Sequence, residues 1–145
     1  MLSLLLFFLG CFRPVNADSG TSTYLHNSSW TNELNSQLQI IKAYNGTLIG
    51  LYFSGVGDVK GYYRAVGTYA EDDSQSILRI TFGWSVSWSN SDRQAFATTV
   101  WSARVVDQNT FESIWTETRG LEQDRWASTR INKDVFVRDV DQTKQ

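Results

Sequence analysis

Thiolate and imidazole chemistry have almost nothing to work with in this sequence, which holds one cysteine, Cys11, and one histidine, His26. A nucleophile needs a base held within hydrogen-bond reach and a third group to orient that base. His26 instead lies in a stretch rich in Ser, Thr and Asn, so an enzyme of that kind is not expected, and a lone cysteine closes no disulfide. Charge is also scarce. Charged residues make up 19% of the chain, the net charge is −2 and the pI is about 5.3, so no basic field attracts nucleic acid or an anionic membrane. The one visible acidic run, Glu71-Asp72-Asp73, reads as a solvated turn rather than an acid–base pair. No cofactor and no metal site are called for. A single proline and ten glycines exclude a low-complexity chain.

Long apolar runs are missing too. Leu2 to Phe12 spans about eleven residues where a membrane helix needs roughly twenty. With Arg13-Pro14 and the small-residue site Val15-Asn16-Ala17 after it, the segment 1–17 reads as a secretory signal, with cleavage after Ala17. Its removal takes Cys11 and Arg13 away and leaves 12 basic and 15 acidic residues, net −3. Two sequons, Asn27-Ser28-Ser29 and Asn45-Gly46-Thr47, suit a secreted glycoprotein. Residues 18–145 are enough for one domain and too few for two.

What the chain has in quantity is strand patterning and aromatics. Gln37 to Tyr44 and Thr47 to Ser54 flank Asn45-Gly46, a dipeptide that tolerates the positive φ angles of a type I′ turn, and so predict a hairpin. Further strands are predicted over Ser28 to Glu33, Gly61 to Tyr69, Ser76 to Ser89, Gln94 to Val106, Phe111 to Thr118 and Ser128 to Val140. Helical periodicity is confined to a single turn within Gly120 to Asp124. Eight antiparallel strands with short connections predict an all-β fold, an eight-stranded up-and-down barrel, closed so that no edge is exposed and wide enough for one small ligand. A sandwich is the other arrangement this pattern allows.

The six tryptophans say what such a barrel holds. Period-two alternation puts Phe82, Trp84, Val86 and Trp88 on one face of a strand, with Gly83, Ser85 and Ser87 on the other. Trp101, Trp115 and Trp126 likewise sit among Ser and Thr, whereas a core packed only for stability favours aliphatic residues. Aromatic walls with a few hydrogen-bonding groups are how small-molecule pockets are made.

At these residues the chain resembles the avidin and streptavidin family of biotin-binding proteins. The likeness runs through Trp30-Thr31-Asn32-Glu33-Leu34-Asn35-Ser36, then Gly50, Tyr52, Ser54, Val56 and Gly57. It continues through Gly83-Trp84, Val86 and Trp88, through Ala97-Thr98-Thr99-Val100-Trp101-Ser102, and ends with Trp115, Trp126, Ser128-Thr129, Asp134 and Phe136. It implies high-affinity, non-covalent biotin binding. Asn32, Ser36 and Tyr52 would donate to the ureido oxygen, while Ser54 and Asp134 would accept from the ureido N–H groups. Trp88, Trp101 and Trp115 would wall the ring and Thr99 would reach the thioether. Leu34, Val56 and Asp58 would also bind biotin, and Trp126 would cover the pocket of a neighbouring subunit in a homotetramer. Ala97 stands where the family usually has a hydroxyl residue for the ligand's carboxylate tail, and Asp58 would put a carboxylate near that tail. From these two residues, neutral tail derivatives are expected to bind as well as free biotin or better. The alternatives are a lipocalin-like carrier of another hydrophobic ligand, which would show a more aliphatic pocket, and a purely structural barrel.

Overall fold

Asn45 and Gly46 turn the chain with φ of 52° and 73°, joining β2 (Gln37–Tyr44) to β3 (Thr47–Phe53) in an antiparallel pair that starts at Tyr44 and Thr47. This hairpin is as the sequence predicts. The structure, a computed structural model, describes residues 20–56, 61–72, 76–90, 95–120 and 127–139. Its other strands are β1 (Ser28–Asn32), β4 (Tyr62–Ala70), β5 (Thr81–Asn90), β6 (Ala95–Asp107), β7 (Thr110–Arg119) and β8 (Thr129–Arg138). Each pairs with the next, and β8 returns to β1 through Asn32 opposite Phe136. The result is a closed, eight-stranded, up-and-down barrel with no free edge.

Alternation decides which side chains fill it. Tyr52, Trp84, Val86, Trp88, Trp101, Phe111, Asp134 and Phe136 all point inward and are buried, while Ser87, Ser102, Ile114 and Val135 point outward on the same strands. Two bulges interrupt the alternation. Register shifts between Ile40 and Lys42 and again between Val105 and Asp107, so Ile41 and Lys42 are both exposed, a local bend that a period-two reading does not foresee.

The predicted strand from Ser76 needs a correction. Ile77–Arg79 is a turn of 3-10 helix and β5 begins only at Thr81. Arg79 N–H bonds the Ser76 carbonyl and Ile80 N–H the Ile77 carbonyl, which leaves the Ile80 carbonyl to accept from Val105 N–H. The turn thus docks on β6, buries Ile80 and ties Arg79 to Asp72 at 2.6 Å. Of the helical turn expected within Gly120 to Asp124, residues 121–124 lie outside the described residues.

One end of the barrel is shut. Residues ahead of β1 cross it: Ser22 N–H bonds the Ala43 carbonyl, Ser22 Oγ donates to Glu71 at 2.7 Å, and Tyr24 Oη donates to the Asp107 carbonyl at 2.9 Å. Beneath them Trp30, Phe82, Phe111 and Phe136 form a packed floor, with Phe111 and Phe136 stacked at 4.7 Å and Trp30 edge-on to Phe111 at 4.9 Å. The Arg138 guanidinium lies over both Tyr24 and Trp30, 4.7 and 4.2 Å from their ring centres.

Candidate functional site

The other end of the barrel is where the ends of β1, β3, β5 and β7 meet the starts of β2, β4, β6 and β8. Register sets its aromatic wall, since Trp101 and Trp115 are direct partners across β6 and β7, with Trp84 of β5 backing Trp101. Trp84 and Trp101 stack at 5.2 Å and 6°. Tyr52 packs 4.8 Å from Trp101 and 5.8 Å from Trp88, and Tyr63 lies 4.9 Å from Trp88. Tyr52, Trp84, Trp88 and Trp101 are almost wholly buried, while Tyr63 and Trp115 are only partly so.

Polar side chains inside this wall are held by local turn chemistry. Asn32 ends β1 and its Oδ1 accepts from the N–H groups of Leu34 and Ser36 at 3.0 and 2.8 Å. That is an Asx-type turn, helped by Asn35 at φ 59°. With its oxygen occupied, Asn32 offers its amide N–H to the cavity. Ser36 Oγ accepts from Gly55 N–H at 3.0 Å and lies in hydrogen-bond contact with Tyr52. The approach of the two turns needs a residue without a side chain, because a Cβ on Gly55 would stand 2.2 Å from the Leu34 carbonyl oxygen. Ser54 donates to the Val56 carbonyl at 2.6 Å, which directs its proton away and leaves its oxygen to accept.

Asp134, on β8, is the centre of charge. Trp101 Nε1 donates to its Oδ2 at 3.3 Å, and Trp115 and Asn32 bond to it as well. Burial nevertheless pushes its carboxyl above the ordinary range, with Glu33 adding to the rise and the three hydrogen bonds opposing it. Glu33 stands where β1 has ended and accepts from Val135 N–H at 3.1 Å. Burial drives the Tyr52 hydroxyl far up, so it is a donor at every physiological pH.

Thr99 accepts from Trp88 Nε1 at 2.8 Å and donates to Glu117 at 3.4 Å. Glu117 in turn holds Arg119 Nε at 2.6 Å. The sequence reading passed over these two charged residues, although two-residue spacing from Trp115 puts both on the inner face of β7.

The structure therefore brings together Asn32, Ser36, Tyr52, Trp88, Thr99, Trp101, Trp115 and Asp134, with Ser54 at the rim. Leu34 and Val56 lie outside the cage, 46% and 50% exposed on the surrounding loops. Asp58 and Trp126 are outside the described residues. Among the described residues no group of His, Cys, Asp and Glu is placed to hold a metal, and no helix is long and apolar enough to cross a membrane. The cage offers donors on one side, acceptors on the other and flat aromatic walls between, which suits a small planar polar group. The family model described as Avidin family matches residues 21–139, a span that takes in all eight strands and the whole cage, and on that match the chain belongs to the avidin family.

Proposed function

We propose that the cage binds biotin without covalent chemistry, one molecule per chain. The observation that carries this reading is the convergence of Asn32, Ser36, Tyr52 and Asp134 between Trp88, Trp101 and Trp115. Asn32, Ser36 and Tyr52 donate to the ureido oxygen, a strong acceptor that three donors polarise in a dry site. Asp134 and Ser54 accept from the ureido N–H groups, the Asp134 bond being charge-assisted. The tryptophans cover the ring faces and Thr99 meets the thioether. Membership of the avidin family supports a binding protein rather than an enzyme.

The chain assembles, in this reading, as a homotetramer in which Trp126 covers a neighbour's pocket. Register lines up Val66, Ser85, Val100, Thr116 and Ile131 in one outward row across five strands, and Val100, Ile114 and Ile131 are about half exposed or more. Such a patch favours association. Residues 1–17 direct secretion, and the exposed Asn27 and Asn45 take glycans if the cell supplies them. The test is a titration of the purified protein with biotin, read by tryptophan emission, with light scattering on the same sample. Quenching or a shift saturating at one biotin per chain in a tetramer is expected; no response to biotin overturns the ligand, and a monomer overturns the assembly.

A further inference from the structure

The barrel closes where β8 meets β1, and this is its shortest pairing, running only from Trp30 opposite Arg138 to Asn32 opposite Phe136. Each end of the seam is held by a carboxylate residue. At the shut end Asp139 N–H donates to the Ser29 carbonyl at 2.9 Å, and its side chain accepts from the Ser29 and Thr31 hydroxyls, both at 2.7 Å. At the mouth the ladder stops early, because the turn that Asn32 Oδ1 makes with the N–H groups of Leu34 and Ser36 leads the chain away. A continued ladder would set the backbone carbonyl of Glu33 before Val135 N–H. The Glu33 side chain stands there instead, its Oε2 accepting at 3.1 Å. That N–H belongs to the peptide linking Asp134 to Val135, whose carbonyl accepts from Ser113 Oγ at 3.5 Å. The Glu33 bond thus fixes the backbone that carries the Asp134 carboxylate to Trp101, Trp115 and Asn32.

A ligand seated between Asn32 on β1 and Asp134 on β8 spans this same seam. Building on the biotin reading, we infer that Glu33 is a positioning residue for Asp134 and the latch that keeps the seam closed at the mouth, so that it sets how long the ligand stays. Asp139 makes three hydrogen bonds across its end of the seam and Glu33 one across its own, so local opening starts at the mouth. Opening draws Asp134 away from Asn32 and admits water to compete for the ureido N–H groups. The coupling is reciprocal: a ligand bonded to both strands protects the seam that retains it. The latch also works against the charge it positions, since Glu33 helps push the Asp134 carboxyl up. Glu33 and Val135 are both exposed, so water competes for their bond and the effect of the latch is moderate.

The experiment compares the wild type, Glu33→Gln and Glu33→Ala by two measurements: the release of labelled biotin chased with unlabelled biotin, and amide hydrogen exchange at Val135 with and without biotin. Both variants remove the same charge and only Glu33→Gln keeps an oxygen for Val135 N–H, so the difference between them reports the latch alone. Biotin should leave Glu33→Ala about three- to tenfold faster than Glu33→Gln, as the loss of one modest hydrogen bond implies, while the two bind it at the same rate. Without ligand, Val135 should exchange faster in Glu33→Ala than in the wild type and Glu33→Gln, with the Asp139 amide at the shut end unchanged. Biotin should slow Val135 exchange in all three. Equal release from the two variants, or Val135 exchange that Glu33→Ala leaves unmoved, overturns the inference. Failure of biotin to bind the wild type refutes the biotin reading instead, and Val135 exchange without ligand then judges the latch by itself.

Discussion

The two halves of this barrel use the same strands and the same kinds of aromatic residue to opposite ends. At the shut end, Trp30, Phe82, Phe111 and Phe136 pack ring against ring. Of the polar groups there, Ser28 Oγ and Tyr24 Oη donate to backbone carbonyls, while Ser22 Oγ and Trp30 Nε1 donate to the Glu71 and Ser28 side chains of the same end. At the open end Trp88 and Trp101 spend their N–H groups on Thr99 and Asp134, side chains that themselves face the cavity. A buried polar group paired to backbone is part of the fold, whereas one paired to other cavity side chains keeps capacity for a ligand. The difference separates stability from binding along the barrel axis, and substitutions should separate them too.

The largest effect is expected at the floor. Phe111 is fully buried and touches Trp30, Phe82, Trp84 and Phe136, so Phe111→Ala should cost about 3–5 kcal/mol of stability in denaturant unfolding. Next come the cage residues, whose loss should appear in affinity. Tyr52→Phe and Asp134→Asn should each weaken biotin by about 1.5–3 kcal/mol, roughly ten- to hundredfold in Kd, while shifting unfolding far less than Phe111→Ala does. A cage substitution that unfolds the protein as readily as the floor substitution erases the distinction.

Titration sharpens it. Asp134 has a raised pKa in the ligand-free fold, so the folded state holds the proton more tightly than the unfolded chain. Its penalty is absent below the ordinary carboxylate pKa and grows as pH climbs through the interval up to the raised value. Ligand-free stability should therefore fall across that window. Biotin affinity should rise across it, because the ureido N–H needs the ionised acceptor. Asp134→Asn should flatten both curves. Glu33→Gln, which keeps an acceptor for Val135 N–H but removes a nearby charge, should narrow the window. Calorimetry of binding and melting as pH climbs from the ordinary carboxylate range toward neutrality reads both; parallel curves for wild type and Asp134→Asn would place the titrating group elsewhere.

Much of this is legible in the sequence. Alternation around Trp84 and Trp88, and Asn-Gly between two apolar runs, are local signals, and they locate the strands to within a few residues. The turn at Ile77–Arg79 was not legible, because Ile77, Leu78 and Ile80 read as strand residues until β6 offers Val105 N–H to the Ile80 carbonyl. The bulge at Ile41 likewise depends on a partner strand. Asn32, Ser36 and Asp134 stood out through resemblance, but that Asn32 Oδ1 is taken by its own turn is a fact of geometry. Glu117 and Arg119 were within reach of a parity count from Trp115 and were missed because charged residues near a strand end read as solvated.

The smallest effect is expected at the boundary between the halves. Trp84 stacks on Trp101 of the cage and meets Phe111 and Phe136 of the floor edge-on, and its Nε1 is buried with no hydrogen-bond partner among the described residues. An unmade bond on a buried donor costs about 1–3 kcal/mol. Trp84→Phe removes that donor and gives up part of the ring's buried area, which at about 25 cal/mol per Å² is of similar size. The two terms oppose, so stability should change by no more than about 1 kcal/mol, in contrast to Phe111→Ala one layer below. Affinity should hardly move, since Trp101 keeps its bond to Asp134 and an aromatic ring behind it. The check is a melt and a biotin titration of Trp84→Phe beside the wild type. A loss of affinity comparable to that of Asp134→Asn would mean that Trp84 belongs to the cage and that the boundary lies one layer deeper, at Phe111 and Phe136.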